Sequence, residues 1–203
     1  MKMNLEHFAL GLILAPLAPL AGLLSCWGAA YAWLPETWIP FAAITGLLIG
    51  VVVDIFMLKK LLERRLSLFL WAVVFLFYSI GVFGFSMGVP VLNTALAIPA
   101  GFVIGGRLAA DNADRMRVRK TAQRTAWFTT AVLALICAAS ALIALVSSST
   151  ASDLRGMLGL GFEVTQGMII GLILVGGAGL LAAGWGLSVA SVRLTFSFLQ
   201  SKV

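Results

Sequence analysis

Six long apolar stretches dominate this sequence, and each has about the length that an α-helix needs to cross a membrane. About 20 apolar residues cover the roughly 30 Å of hydrocarbon in a bilayer. The apolar runs are continuous rather than alternating, which favours helices over the strands of a closed barrel. The sequence therefore predicts an all-α fold in which one domain of 203 residues contains six transmembrane helices. The predicted spans are residues 8–31, 39–58, 66–86, 87–109, 126–147 and 165–192.

The composition supports a chain surrounded by lipid. Hydrophobic residues make up 61% of the sequence, charged residues make up 11%, and the mean hydropathy is +1.06. Soluble domains are typically about a quarter charged. A net charge of +6 does not indicate nucleic-acid binding here, because basic residues of membrane proteins collect in cytoplasmic loops. We therefore predict a multi-pass protein of the cell (cytoplasmic) membrane with no nucleic-acid partner.

The basic residues also predict the orientation of the chain. In a six-helix threading, only Arg155 of the 14 basic residues falls on the side opposite the others, in an outer loop that also carries acidic residues. Because cytoplasmic loops retain Lys and Arg, both termini are predicted to be cytoplasmic. The residues on the predicted inner side are Lys2, Lys59, Lys60, Arg64, Arg65, Arg107, Arg115, Arg117, Arg119, Lys120, Arg124, Arg193 and Lys202.

The two longest predicted loops differ in character. The basic inner loop, residues 107–124, contains neither Pro nor Gly, so we predict that it extends the fourth helix and that Asp111 pairs with Arg115. Its other cations would contact anionic lipid headgroups or a cytoplasmic partner. The outer loop, residues 147–164, begins with Ser and Thr and leads to Asp153, which is a predicted helix N-cap. Its apolar second half would lie at the outer interface or act as a lid.

Polar residues inside the spans are the candidate functional residues, because charges in hydrocarbon are costly. Asp54 lies five residues before Lys59, so it could form a structural pair with Lys59 or Arg107, or be an ion or proton site. Asn93 and Thr94 lie near the outer start of the fourth span, where they could bond between helices or contact a solute. Glu163 precedes the sixth span, where the helix dipole favours an acid.

Prolines interrupt two of the spans. Pro16 and Pro19 lie in the first span and Pro99 lies in the fourth, and each removes a backbone hydrogen bond. Six spans divide into two groups of three with opposite threading, and the interrupted helix would then be the first of each group. Interrupted helices at matching positions of inverted repeats indicate a transport site. The sequence is thus compatible with a 3+3 inverted pseudo-repeat, although the two halves share no residue-by-residue similarity.

Glycines four residues apart indicate close helix packing. Such faces could pack within the chain or between subunits of a homo-oligomer. Gly84 and Gly88, with Pro90, predict the turn between the third and fourth spans. The remaining pairs are Gly46 with Gly50, Gly101 with Gly105, and Gly167 with Gly171.

No catalytic arrangement is recognisable. His7 is the only histidine, and Cys26 and Cys137 lie in apolar runs without nearby ligands, so we expect no enzyme activity, no metal and no cofactor. The leading hypothesis is a small transporter or channel whose pathway follows the kinked first and fourth helices, with Asp54 and Arg107 as an inner gate. The alternative is a non-transporting subunit that anchors a larger membrane complex.

Overall fold

Helices make up all the regular structure in the described part of the chain. The computed structural model describes residues 5–63, 67–86, 88–147, 149–159 and 161–201, and their side chains except those of residues 5–9, 57–63 and 157–158. This confirms the predicted all-α class, and six helices are long and apolar enough to cross a membrane. The helices are α1 (Leu5–Leu14), α2 (Leu17–Trp33), α3 (Ile39–Glu63), α4 (Leu68–Phe85), α5 (Val91–Ala95), α6 (Ala97–Ala110), α7 (Arg115–Val146), α8 (Thr150–Leu158) and α9 (Gln166–Gln200), with a 3-10 turn at Glu36–Trp38.

The first apolar stretch forms two helices, and the break lies at Pro16. Helix α1 ends at Leu14, and Pro16 is the N-cap residue of α2. Pro16 has no N–H to continue the hydrogen-bond ladder of α1, but its carbonyl accepts from the Leu20 N–H at 3.0 Å. Pro19 lies in the first turn of α2, where a missing N–H costs little.

The prediction that residues 107–124 extend the fourth helix is wrong. Helix α6 ends at Ala110, and Asn112 adopts a left-handed backbone with φ +48°, which Asn tolerates better than most residues. Asp114 then caps α7, because its Oδ1 accepts from the Arg117 N–H at 3.2 Å. The segment from Arg115 to Arg124 is therefore the start of the fifth long helix. Asp111 and Arg115 do not share a helix, so the four-residue spacing does not place them on one helical face, and their pairing stays a prediction.

The prediction that Asp153 is an N-cap residue is wrong as well. Helix α8 begins at Thr150 and has Ser149 as its N-cap residue, so the Ser/Thr half of the outer loop is partly helical. The Ser149 hydroxyl donates to Asp153 Oδ2 at 2.8 Å, which places the carboxylate in the first turn of α8. An acid there is favourable because the helix dipole is positive at this end. Helix α8 ends at Gly159, whose φ of +61° suits a residue without a Cβ.

The chain divides into two compact units, Met1–Val74 and Phe75–Val203. In the first unit, α2 and α3 pack at very close range. A Cβ on Gly22 would collide with the Gly46 carbonyl, and a Cβ on Gly50 would collide with the Ala18 carbonyl. Between these two contacts the residue number falls along α2 while it rises along α3, so the two helices are antiparallel.

In the second unit, α6, α7 and α9 enclose a buried apolar cluster. It consists of Leu108, Ala113, Val118, Ala122, Val192 and Phe196, with Ile104 and Ala109 packed against it. The fourth span is the most buried of the six candidate spans. Inside its most apolar window 44% of the residues are buried, against 6–11% in the other five. The fourth span is therefore the central element of this unit.

Candidate functional site

The fourth span is interrupted between α5 and α6, one turn before Pro99. Helix α5 ends at Ala95, Leu96 forms a turn, and α6 begins at Ala97. Pro99 has no N–H, so it cannot bond to the Ala95 carbonyl four residues earlier. Just before Pro99, the Leu96 N–H bonds to the Asn93 carbonyl three residues earlier, at 3.2 Å, which is the tighter pattern of a 3-10 turn. The hydrogen-bond ladder is therefore interrupted at Leu96, whose backbone keeps helical dihedral angles (φ −64°, ψ −17°), and we call this interruption the break.

Helix α9 packs parallel to α6, and the two helices meet at glycines of α6. A Cβ on Gly101 would lie 2.6 Å from the Ser191 Cβ, and a Cβ on Gly105 would lie 2.6 Å from the Val192 carbonyl oxygen. The Ser191 hydroxyl also donates to the Ile98 carbonyl at 2.7 Å, which joins α9 to α6 next to the break. Small residues thus bring the backbones close enough for hydrogen bonding between helices.

Helix α7 completes the packing and runs antiparallel to α9. Val118 and Ala122 of α7 share the buried cluster with Val192 and Phe196 of α9. Eight residues separate Ala122 from Thr130, and eight separate Val192 from Gly184. Because Ala122 and Val192 meet in this cluster and the two helices are antiparallel, Thr130 lies at about the height of Gly184. Near Gly184 the fit is close, because a Cβ there would lie 2.9 Å from Leu133 Cδ2 and 3.9 Å from Thr94 Cγ2.

Four polar side chains in this bundle carry buried oxygen atoms that have no hydrogen-bond partner among the described residues. We call them the buried polar set, and the atoms are Asn93 Oδ1, Thr94 Oγ1, Thr130 Oγ1 and Ser188 Oγ. Asn93 is 5% exposed, Thr94 8% and Ser188 0%. Thr94 and Thr130 lie near the height of Gly184, Asn93 adjoins Thr94, and Ser188 lies one turn further along α9. The buried polar set is thus confined to about two helical turns beside the break.

Two polar atoms next to the buried polar set do have partners. Asn93 Nδ2 donates to the Ser79 carbonyl of α4 at 2.7 Å. The Thr129 hydroxyl, next to Thr130, donates to the Ala126 carbonyl at 3.2 Å. The unpartnered atoms are therefore oxygens alone: one amide carbonyl, which can only accept, and three hydroxyls, which can donate or accept.

The predicted charged site residues lie elsewhere. Asp54 is half-buried on α3 in the first unit, whereas Arg107 is half-buried on α6 in the second. The side chain of Lys59, the other predicted partner of Asp54, lies outside the described residues, so this pairing stays a prediction. Glu163 is exposed and lies two residues before Thr165, the N-cap residue of α9, whose Oγ1 accepts from the Met168 N–H.

The predicted packing glycines fall into two groups. Gly46 and Gly50 lie against α2, and Gly101 and Gly105 lie against α9. Gly171 has nothing within 4 Å of an added Cβ among the described residues, and a Cβ on Gly167 would meet only Thr165 Oγ1 at 4.0 Å. Four of the six glycines therefore pack inside the chain.

Sequence reasoning named Asn93 and Thr94 but missed Thr130 and Ser188. Ser and Thr are common in membrane helices, so neither residue stands out by composition. A usable signal was the four-residue spacing of Gly184, Ser188, Val192 and Phe196, which places them on one face of α9. All four are buried in the structure.

The helices define an all-helical protein of the multi-pass membrane class. No three His, Cys, Asp or Glu side chains in the described part are grouped so that they could hold a metal ion. No family model matches the chain, and neither a curated protein nor a solved structure matches it. The buried polar set beside the broken fourth span is therefore the main basis for a functional proposal.

Proposed function

We propose that the protein is a small membrane transporter or channel that moves a small solute or ion past the break between α5 and α6. The observation that carries the proposal is the buried polar set. A buried polar atom without a partner costs about 1–3 kcal/mol, so four such atoms at one break are an expensive arrangement. A passing solute that bonds to them would offset this cost. Interrupted membrane helices are also the usual location of transport sites.

The chemistry of the unpartnered atoms limits the class of solute. Because the Asn93 amide nitrogen is already bonded to the Ser79 carbonyl, the free atoms are all oxygens. One carbonyl oxygen and three hydroxyls that can donate or accept suit a neutral hydrogen-bonding molecule or a monovalent cation. The proposed substrate is therefore neutral or singly positive.

The charged residues and the first span have secondary roles in this proposal. Arg107 would lie toward the inner end of the fourth span, Asp54 would be a coupling residue of the first unit, and Glu163 would lie at the outer mouth. The break at Pro16 would give the first span a flexibility like that of the fourth span at Pro99. A 3+3 inverted pseudo-repeat, with both termini cytoplasmic, would relate these two breaks by symmetry.

The basic start of α7 fits a position at the cytoplasmic surface of the cell membrane. Its exposed cations are available to anionic headgroups, each worth about 1 kcal/mol of attraction near the surface. The residues are Arg115, Arg117, Arg119, Lys120 and Arg124. The same surface could take a cytoplasmic partner.

Flux through proteoliposomes tests the proposed function. The purified protein should accelerate osmotic swelling in glycerol or urea, or Na⁺ influx down a sodium gradient, relative to empty liposomes. Thr94→Val and Ser188→Ala each remove an unpartnered hydroxyl at nearly constant volume, so we expect each to reduce that flux at least about tenfold, a barrier change of about 1.4 kcal/mol.

Thr129→Val is the matched control for the flux experiment. It removes a buried hydroxyl that already has a partner, the Ala126 carbonyl, so flux should stay close to that of the unchanged protein. The proposal fails if none of the three probes moves faster than through empty liposomes. It also fails if Thr94→Val and Ser188→Ala leave the flux unchanged in correctly folded protein.

A non-transporting anchor subunit is the second candidate, and the open face of α9 favours it. Added Cβ atoms on Gly171, Gly176 and Gly179 would meet nothing within 4 Å among the described residues. Small residues on a lipid-facing surface let another helix approach closely, from a second copy or from a partner subunit. Recovery of stoichiometric partner chains in mild detergent, together with absent flux, would favour this function over transport.

A further inference from the structure

The described residues of the turn between α4 and α5 make several local hydrogen bonds through their backbone groups. Ser86 N–H bonds to the Val82 carbonyl at 2.8 Å, Gly88 N–H to the Phe83 carbonyl at 3.0 Å, and Val89 N–H to the Ser86 carbonyl at 3.0 Å. The Ser86 hydroxyl donates to the Val89 carbonyl at 2.7 Å. Gly88 allows the tight bend through its φ of +83°. These bonds reduce the need for water, and unsatisfied backbone groups are what exclude most loops from hydrocarbon.

The side chains around this turn are apolar and point outward. Phe85 is 88% exposed, and Val89, Val91 and Leu92 are also exposed. Residues 66–106 contain no Asp, Glu, Lys or Arg. In water this group would form an unfavourable apolar patch at a loop, whereas in lipid the same exposure is favourable.

The turn also lies short of the outer ends of the long helices in the same unit. Phe75 of α4 contacts Phe128 of α7 with ring centroids 5.6 Å apart. Ser79, one turn further along α4, bonds to Asn93 beside Thr94, and Thr94 meets Leu133 of α7 at Gly184, so α4 and α7 run in the same direction. Phe85 therefore lies about level with Ala138, and α7 continues for about 12 Å to Val146. On the other side Thr94 lies beside Gly184, so Val91 is about level with Leu181, and α9 extends about 22 Å further, to Gln166.

The apolar part of α7 marks the thickness of the membrane. From Ala126 to Val146 it measures about 30 Å, which matches the hydrocarbon core. Phe85, the last residue of α4, therefore lies about 12 Å short of the outer boundary that Val146 marks. Among the described residues, nothing lies within 4 Å of a Cβ added to Gly171 or Gly176, which agrees with a hairpin that does not accompany the outer half of α9.

We propose that α4, α5 and α6 form a re-entrant hairpin, which enters the membrane from the side of the basic residues and returns to that side without crossing. Arg64 and Arg65 precede the hairpin and Arg107 lies near its end, so both of its ends carry the cations typical of the cytoplasmic surface. The chain then crosses the membrane four times, and the termini remain on the same side as each other. This inference does not depend on the proposed transport function.

Spin-label depth measurements in lipid nanodiscs test the hairpin. In protein carrying Cys26→Ser and Cys137→Ala, a nitroxide is attached through Val89→Cys or, separately, through Phe85→Cys, two exposed positions that tolerate a label. We expect both labels to collide readily with oxygen and several-fold less often with a water-soluble nickel chelate than a label at Ser152→Cys, because the turn is surrounded by lipid. Nanodiscs expose both membrane faces to the chelate, so the orientation of the protein does not matter.

A second control is a label at Met116→Cys, on the exposed start of α7, which should be as accessible to the chelate as the label at Ser152→Cys. The inference is overturned if the two turn positions, in monodisperse protein, match Ser152 in chelate accessibility. That result would restore six crossings and keep the inverted pseudo-repeat possible. Flux that depends on Thr94 and Ser188 would be compatible with either result, so the failure of one proposal is distinguishable from the failure of the other.

Discussion

Individual hydroxyl groups in the second unit differ in whether they have a partner, and the proposed function rests on the hydroxyls that have none. The Ser191 and Thr129 hydroxyls donate to backbone carbonyls, so they stabilise the packing that surrounds them. The Ser188 and Thr94 side chains are buried, but their hydroxyls have no partner among the described residues. A group that only had to fill space there could be Ala or Val at lower cost in free energy.

Replacing Ser188 by Ala should therefore not destabilise the protein. The change removes a desolvated hydroxyl from a residue that is 0% exposed and leaves almost no cavity. We expect the midpoint of thermal unfolding in detergent, followed by circular dichroism, to stay the same or rise by a few degrees, a gain of about 1 kcal/mol. A fall of several degrees would show that the Ser188 hydroxyl is bonded in the folded protein and would remove it from the buried polar set.

At the scale of helices, the sequence predicted the elements better than their ends. The long apolar stretches identified the membrane helices, and Pro16 and Pro99 indicated where two of them are interrupted, because proline cannot continue a hydrogen-bond ladder. The break at Asn112 was missed, since it relies on a left-handed Asn and an Asp cap rather than on Gly or Pro. The convergence of Thr94, Thr130 and Ser188 could not be predicted, because it depends on the register between helices.

The close contact of α2 with α3 provides a test at the scale of helices. Gly22→Ala places a methyl group against the Gly46 carbonyl, so the two backbones must separate. We expect a loss of about 1–3 kcal/mol in the free energy of unfolding, measured by denaturant titration in detergent. Gly28→Ala is the matched control on α2, because nothing lies within 4 Å of its Cβ among the described residues. If the two variants were equally stable, the tight packing of these helices would be refuted.

At the scale of the whole molecule, the basic residues are concentrated on one predicted side of the membrane. Helix α7 has 32 residues and is about 48 Å long, so it exceeds the hydrocarbon core and extends its basic first turns beyond it. One side of the membrane was predicted to carry the exposed cations of α7, together with Arg193 of α9 and the basic residues near Arg64 and Arg107. That sorting holds with either six crossings or four, because a re-entrant hairpin returns to the side from which it came.

The most direct test of the central claim is the side of the membrane on which the start of α7 lies. In cells expressing protein that lacks Cys26 and Cys137, Met116→Cys and Ser152→Cys are each exposed to a membrane-impermeant maleimide. Because Met116 lies among the cations of α7 and Ser152 in the outer loop, we predict that Ser152→Cys reacts in intact cells and Met116→Cys only after permeabilisation. Reaction of Met116→Cys in intact cells would contradict the assignment of the basic residues to the cytoplasm, and with it the inner position of Arg107 and the headgroup contacts.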